Sequence, residues 1–177
     1  LAKEDHYYYT FTAKPREHTF LYDELGGIFR PDQGPNVFMR EPEKNRGMRC
    51  RFGMSGTMAD NHFDTFRNWI VMMSGIRRII LAPPLECPHM DLHPIEHVRA
   101  RHSAHPWSER PDTLKQARAL QAVLQPSEAL YVPTAWFHFI VSLTTTIQCN
   151  APSGTTLLPN SREHEIVKDC GFDILGD

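Results

Sequence analysis

The 177-residue sequence predicts a mainly β protein, a sandwich or barrel of short strands with a few short peripheral helices. Three observations lead there. The chain holds 14 prolines, above the usual share of ~5%, and proline breaks long helices. Runs of β-branched and aromatic residues recur at roughly regular spacing between Gly, Pro and Asn clusters. Only residues 111–124 carry a good helical pattern.

In chain order, residues 6–12 (His-Tyr-Tyr-Tyr-Thr-Phe-Thr) predict a strand with Tyr7 and Tyr9 on one face and Tyr8 on the other. Gly26 to Gly47 reads as loops with short elements. Residues 48–58 alternate loosely and lead into His62-Phe63-Asp64, after which Asn68 to Met73 is a nearly continuous apolar run of strand length. Ser74-Gly75 turns the chain into Ile76–Leu81, a strand stopped by Pro83-Pro84. Leu85 to Pro111 is a His- and Pro-rich loop. Leu114, Ala117, Leu120, Ala122 and Leu124 among polar residues predict a short surface helix over 111–124. Gln125 to Glu128 makes a turn, Ala129–Val132 a strand, and Trp136 to Asn150 can hold two more. No internal repeat divides the chain, so residues 1–177 are expected to form one domain.

Composition narrows the class. Nineteen Lys+Arg against 21 Asp+Glu give a net charge of −2, without the basic footprint of a dedicated nucleic-acid binder. The longest apolar stretches, such as Ile79–Ala82, fall far short of the ~18 residues that span a bilayer, so no membrane partner is expected. The start at Leu1-Ala2-Lys3-Glu4 reads as a piece of a longer chain. Cys50, Cys87, Cys149 and Cys170 form no C-x-x-C pair and are expected as free thiols in a reducing, cytoplasmic or nuclear compartment.

The surplus of 10 histidines raises the question of metal. In His62-Phe63-Asp64, period-2 geometry sends the imidazole and the carboxylate to one face. His138, alone in an aromatic stretch, is the best third ligand. Two His and one carboxylate make the facial set that holds Fe(II) with coordination positions left open. Thirteen positions after Asp64, Arg77 stands among Ile76, Ile79 and Ile80, where a guanidinium needs an anion; Arg78 competes for the inward role. His89, His93 and His97 are spaced four apart, but Pro88 and Pro94 interrupt any helix, so no second metal site is expected.

Phe52-Gly53-Met54-Ser55-Gly56, then His62-Phe63-Asp64, Asn68, Gly75 to Pro84 and Leu130 to His138 together resemble the JmjC-domain, cupin-type 2-oxoglutarate oxygenases. The likeness runs from about residue 48 to 150 and is nearest the subgroup of the asparaginyl hydroxylase that inhibits hypoxia-inducible factor. It implies a double-stranded β-helix, Fe(II) held by His62, Asp64 and His138, and 2-oxoglutarate as co-substrate. It further implies that Arg77 replaces a family Lys facing the distal carboxylate, and that Ala59 stands where relatives often carry a hydroxyl. Asn68 and Asn150 fall at polar positions near the co-substrate, and Tyr7 or Tyr9 at an N-terminal strand tyrosine that donates to it.

Phe63, Trp69, Trp136 and Phe137 are the aromatic sheath this reading nominates. The implied reaction is hydroxylation of a protein or peptide side chain, turning 2-oxoglutarate and O₂ into succinate and CO₂. N-methyl-lysine demethylation and a lapsed cupin-fold binding module are the alternatives. Relatives often dimerise through a C-terminal helical segment, which leaves a homodimer open here.

Overall fold

The computed structural model describes residues 5–14, 16–29, 34–45, 47–109 and 111–173. Among these the strands are β1 (Tyr8–Ala13), β2 (Met48–Gly53), β3 (Met58–Phe63), β4 (Asn68–Ser74), β5 (Arg77–Ala82), β6 (Leu120–Leu124), β7 (Ala129–Val132), β8 (Phe137–Ser142) and β9 (Thr146–Asn150). The helices are α1 (Thr19–Phe29), α2 (Asp112–Gln116) and α3 (Arg162–Asp169). The strands form two antiparallel sheets, ordered β1-β2-β9-β4-β7 and β3-β8-β5-β6. This is the mainly β architecture that the short, Pro-bounded runs predict.

Alternation within the strands sets the layers. Ile70, Met72 and Val132 of the larger sheet meet Ile79, Leu81, Leu124 and Ile140 of the smaller one in a buried seam. The other face of the larger sheet is covered by α1, whose buried Leu21, Tyr22, Leu25 and Phe29 pack with Met48 and Val71. Beyond the smaller sheet, Phe63 and Phe137 pack with Val167 of α3 and with Phe172. Ser161 caps α3 by accepting a hydrogen bond from the His164 amide at 3.2 Å.

The β4–β5 connection is a corner between the two sheets. Gly75 sits there at φ +77, and a Cβ on it would lie 2.1 Å from the Thr145 carbonyl oxygen, so backbone conformation and close approach both require glycine.

Three expectations are corrected. The helix expected over 111–124 stops at Gln116, and Leu120–Leu124 pairs with β5 as an edge strand. Leu120, Ala122 and Leu124 also satisfy a period of two, and β5 offers unpaired backbone groups that decide between the periods. The loop expected from Gly26 begins inside α1, because one buried apolar face outweighs the low propensity of Gly26-Gly27. The cysteines are not free: Cys50 bonds Cys149 across β2 and β9, and Cys87 bonds Cys170 at the end of α3. The partners lie 99 and 83 residues apart, so no local spacing reveals them.

Candidate metal centre

The ligand set is assembled by strand register. β3 and β8 pair with His62 directly opposite His138 and Phe63 opposite Phe137. Alternation then places both imidazoles on one face of the sheet and both phenyl rings on the other. The pairing shifts register between Ala59 and His62, an irregularity of the kind that re-aims side chains beside functional sites. Asp64 follows the end of β3, where its carbonyl accepts from the Ala135 amide at 2.9 Å, tying it to the turn that precedes β8.

Both rings are oriented from behind. His62 Nδ1 donates to the Asp60 carbonyl at 2.6 Å and His138 Nδ1 to the Trp136 carbonyl at 3.0 Å, which commits each Nδ1–H to the backbone and leaves Nε2 as the ligating atom. The Asp64 carboxylate stands 3.8 Å from His138 Nε2, and one ligand atom from each of the three residues lies within 4.8 Å of the others. Burial and the neighbouring His138 hold His62 down to about 4, against the opposing pull of Asp64, so the ring is neutral near pH 7. Two imidazoles tied from behind and one carboxylate, converging on one point, fit a divalent cation with open positions.

Arg77 lies deeper in the same cavity between the sheets. It is 2% exposed; Nε donates to Thr146 Oγ1 at 3.0 Å, Nη1 donates to Gln148 Oε1 at 2.5 Å, and buried Nη2 has no partner among the described residues. Burial draws the guanidinium down to about 10, which still leaves it charged at neutral pH. A buried cation with an orphaned donor is a site for an anion. Arg78 points outward and bonds Gln121 at 2.8 Å, so the pleat decides between the two arginines.

The remaining candidates divide. Asn68, at the start of β4, lines the cavity and accepts from Asn150 Nδ2 at 3.2 Å; Asn150 is buried one step behind it. Tyr7 and Tyr9 do not reach the cavity: they are 67% and 64% exposed, and Tyr9 packs on Phe11 and Phe52. Tyr8 lines it instead, because the odd-numbered face of β1 turns away from the smaller sheet. Of the nominated sheath, Phe63 and Phe137 pack on the reverse face of their sheet, and Trp69 meets Phe38 edge-on and Tyr131 at a tilt. Trp136 packs against the buried seam. The apolar walls near the ligands are Ile70, Ile140 and Met58.

Ala59 leaves the place of the expected hydroxyl empty, while Thr57, Ser142 and Thr146 form a chain of hydroxyl contacts at 3.1 Å that reaches Arg77. Two residues escaped the sequence reading. Arg51 of β2 lines the cavity, and its only local signal is its alternation around buried Cys50. His102, from the loop between β5 and α2, stacks on His62 with centroids 4.8 Å apart, while His93 and His97 stack on each other. Among the described residues, His62, Asp64 and His138 are the one group of metal-ligating side chains that converges.

Comparison with known proteins places this geometry. The profile of the cupin-like domain matches residues 3–153. The chain belongs to the cupin-like domain family. JmjC proteins are among the relatives of this cupin-like domain: it is 29% identical over 98 residues to Jumonji C domain-containing protein 5 of Drosophila melanogaster, covering 54% of this chain and 24% of that one. It is 24% identical over 92 residues to tRNA wybutosine-synthesizing protein 5 of Gallus gallus, covering 52% and 29%. The cupin-like domain thus spans less than a third of the length of either relative. It also aligns with the solved structure of YcfD, a ribosomal oxygenase from Escherichia coli, in complex with cobalt and 2-oxoglutarate, at TM-score 0.42 and 18% identity over 67% of this chain and 25% of that one. The family match is to the cupin-like domain as a whole and favours no single subgroup of it.

Proposed function

We propose that this cupin-like domain is an Fe(II)- and 2-oxoglutarate-dependent oxygenase that hydroxylates a protein side chain. The observation that carries the reading is the pairing, in one cavity, of the His62–Asp64–His138 set with the orphaned guanidinium of Arg77. A metal with open positions at one end and a cation at the other match a 2-oxo acid that carries a second carboxylate. Bound Fe(II) and 2-oxoglutarate would supply the oxidising chemistry, coupling O₂ to decarboxylation of the 2-oxo acid, release of succinate and CO₂, and insertion of one oxygen atom into a C–H bond.

The chain's own residues would do the rest. His62 and His138 present Nε2 because their Nδ1–H groups are already committed to backbone carbonyls. Asp64 adds the charge that neutralises part of the cation. Arg77 holds the distal carboxylate, with Thr146 and Gln148 fixing its fork so that the remaining nitrogen is aimed and unspent. Ile70 and Ile140 keep the wall between the two ends apolar, which limits water near the reacting centre.

The test is spectroscopic. Mixed without oxygen with Fe(II) and 2-oxoglutarate, the protein should show a weak visible charge-transfer band, and His62→Ala should abolish both the band and succinate formation in air. Iron bound with no band on adding 2-oxoglutarate would overturn the reading. Peptides recovered after incubation in air, screened by mass for the gain of one oxygen atom, would then identify the target.

A further inference from the structure

The cavity holds a second guanidinium that the reading above leaves idle. Arg51 lies in the middle of β2, opposite Thr10 on one side and Gln148 on the other. Its side chain lines the same cavity as the metal set and Arg77. No carboxylate pairs with it among the described residues, and the only acid in the cavity wall is Asp64, which belongs to the metal set. Its one partner is neutral: Nη1 donates to Asn150 Oδ1.

That contact is one link of a chain. Asn150 Nδ2 donates in turn to Asn68 Oδ1 at 3.2 Å, and Asn68 lies four residues after Asp64 on the strand that leaves the metal set. Two buried amides therefore aim Arg51 from behind, as Thr146 and Gln148 aim Arg77. Arg51 lines the same cavity as His62 and Arg77.

With Asp64 facing the metal, two guanidinia confront one cavity with no anion of the protein to meet them, and a dicarboxylate brings one carboxylate for each. Arg77 is the deeper, at 2% exposed. Arg51 is joined through amides to the start of β4, on the metal side.

We propose that Arg51 is a second anchoring residue for the co-substrate, holding the carboxylate of its 2-oxo acid end while Arg77 holds the distal one. This rests on the 2-oxoglutarate reading above and assigns each cation to a different end of the molecule.

Two acids separate the ends. 2-Oxobutyrate shares the 2-oxo acid end of 2-oxoglutarate and lacks the second carboxylate. Titration calorimetry on the Mn(II)-loaded protein would measure both acids against wild type, Arg51→Gln, Arg51→Lys and Arg77→Gln, with Mn(II) affinity measured first on each.

Arg51→Gln should weaken both acids by a similar factor, roughly 10- to 100-fold for a lost charge-assisted contact, while Mn(II) still binds. Arg51→Lys should recover part of the loss. Arg77→Gln should weaken 2-oxoglutarate and leave 2-oxobutyrate within about threefold, the change expected when no charged contact is lost. Unchanged 2-oxobutyrate binding in Arg51→Gln would overturn the proposal. So would loss of Mn(II) binding in both Arg51 variants, since Arg51 would then serve the fold and not the ligand. If wild type with Mn(II) bound neither acid, the co-substrate reading itself would fall, and the role of Arg51 with it.

Discussion

Single residues show how burial prepares a ligand. His62 titrates near 4 because its surroundings penalise the imidazolium, whereas a free histidine titrates near 6.5. Between those values the unfolded chain binds a proton that the native state does not, so stability falls as pH drops through that window and levels off below it. The metal-free protein, prepared with a chelator, should therefore lose thermal stability from about pH 6.5 towards about pH 4. His62→Gln should flatten part of that slope, and equal slopes for the two proteins in thermal melts would contradict this account of His62. Arg77 illustrates the complementary case, in which a charge stays buried because hydroxyl and amide partners take two of its nitrogens. That either side chain faces inward was legible only in part: the H-x-D spacing gives a shared face, but nothing local separates Arg77 from Arg78, or Tyr8 from Tyr7 and Tyr9.

At the scale of elements, the corner between β4 and β5 carries the most consequence for the site. β4 begins with Asn68, β5 begins with Arg77, and Gly75 makes the turn between sheets that lets both side chains enter one cavity. Gly75→Ala should cost about 1–3 kcal/mol from its left-handed backbone conformation alone, and more from the contact with the Thr145 carbonyl. A urea midpoint unchanged from wild type would show that the corner relaxes freely. The segment 111–124 teaches a different lesson. Its apolar residues fit a helical and an alternating period at once, and backbone pairing with β5, invisible in the local pattern, takes residues 120–124 into the sheet.

For the whole molecule, the long-range covalent links matter most. Cys50–Cys149 fastens β2 to β9, the strands that carry Arg51, Gln148 and Asn150, and Cys87–Cys170 fastens the segment after β5 to the end of α3. Unfolded but unreduced protein should give no reaction with a thiol reagent. The Cys50→Ser, Cys149→Ser double variant should lose about 2–4 kcal/mol in denaturant unfolding, since a crosslink between residues 99 apart restricts the unfolded chain strongly. Four reactive thiols would remove this support from the fold. The premise for a reducing compartment, four free cysteines, does not survive these pairings.

Local patterns in the chain specify the mainly β class, most strand positions, and His62, Asp64 and His138 as one candidate set. Those signals are local: alternation, turn residues and motif spacing are written within a few positions of each other. Tertiary structure alone decided that Tyr8 and not its neighbours enters the cavity, that Arg77 retains an unpartnered nitrogen, that Arg51 joins it through Asn150 and Asn68, and that the cysteines pair. Alternation fixes which residues share a face but not which face is buried, and contacts between positions some 80 to 100 residues apart depend on sheet order, which no local pattern encodes.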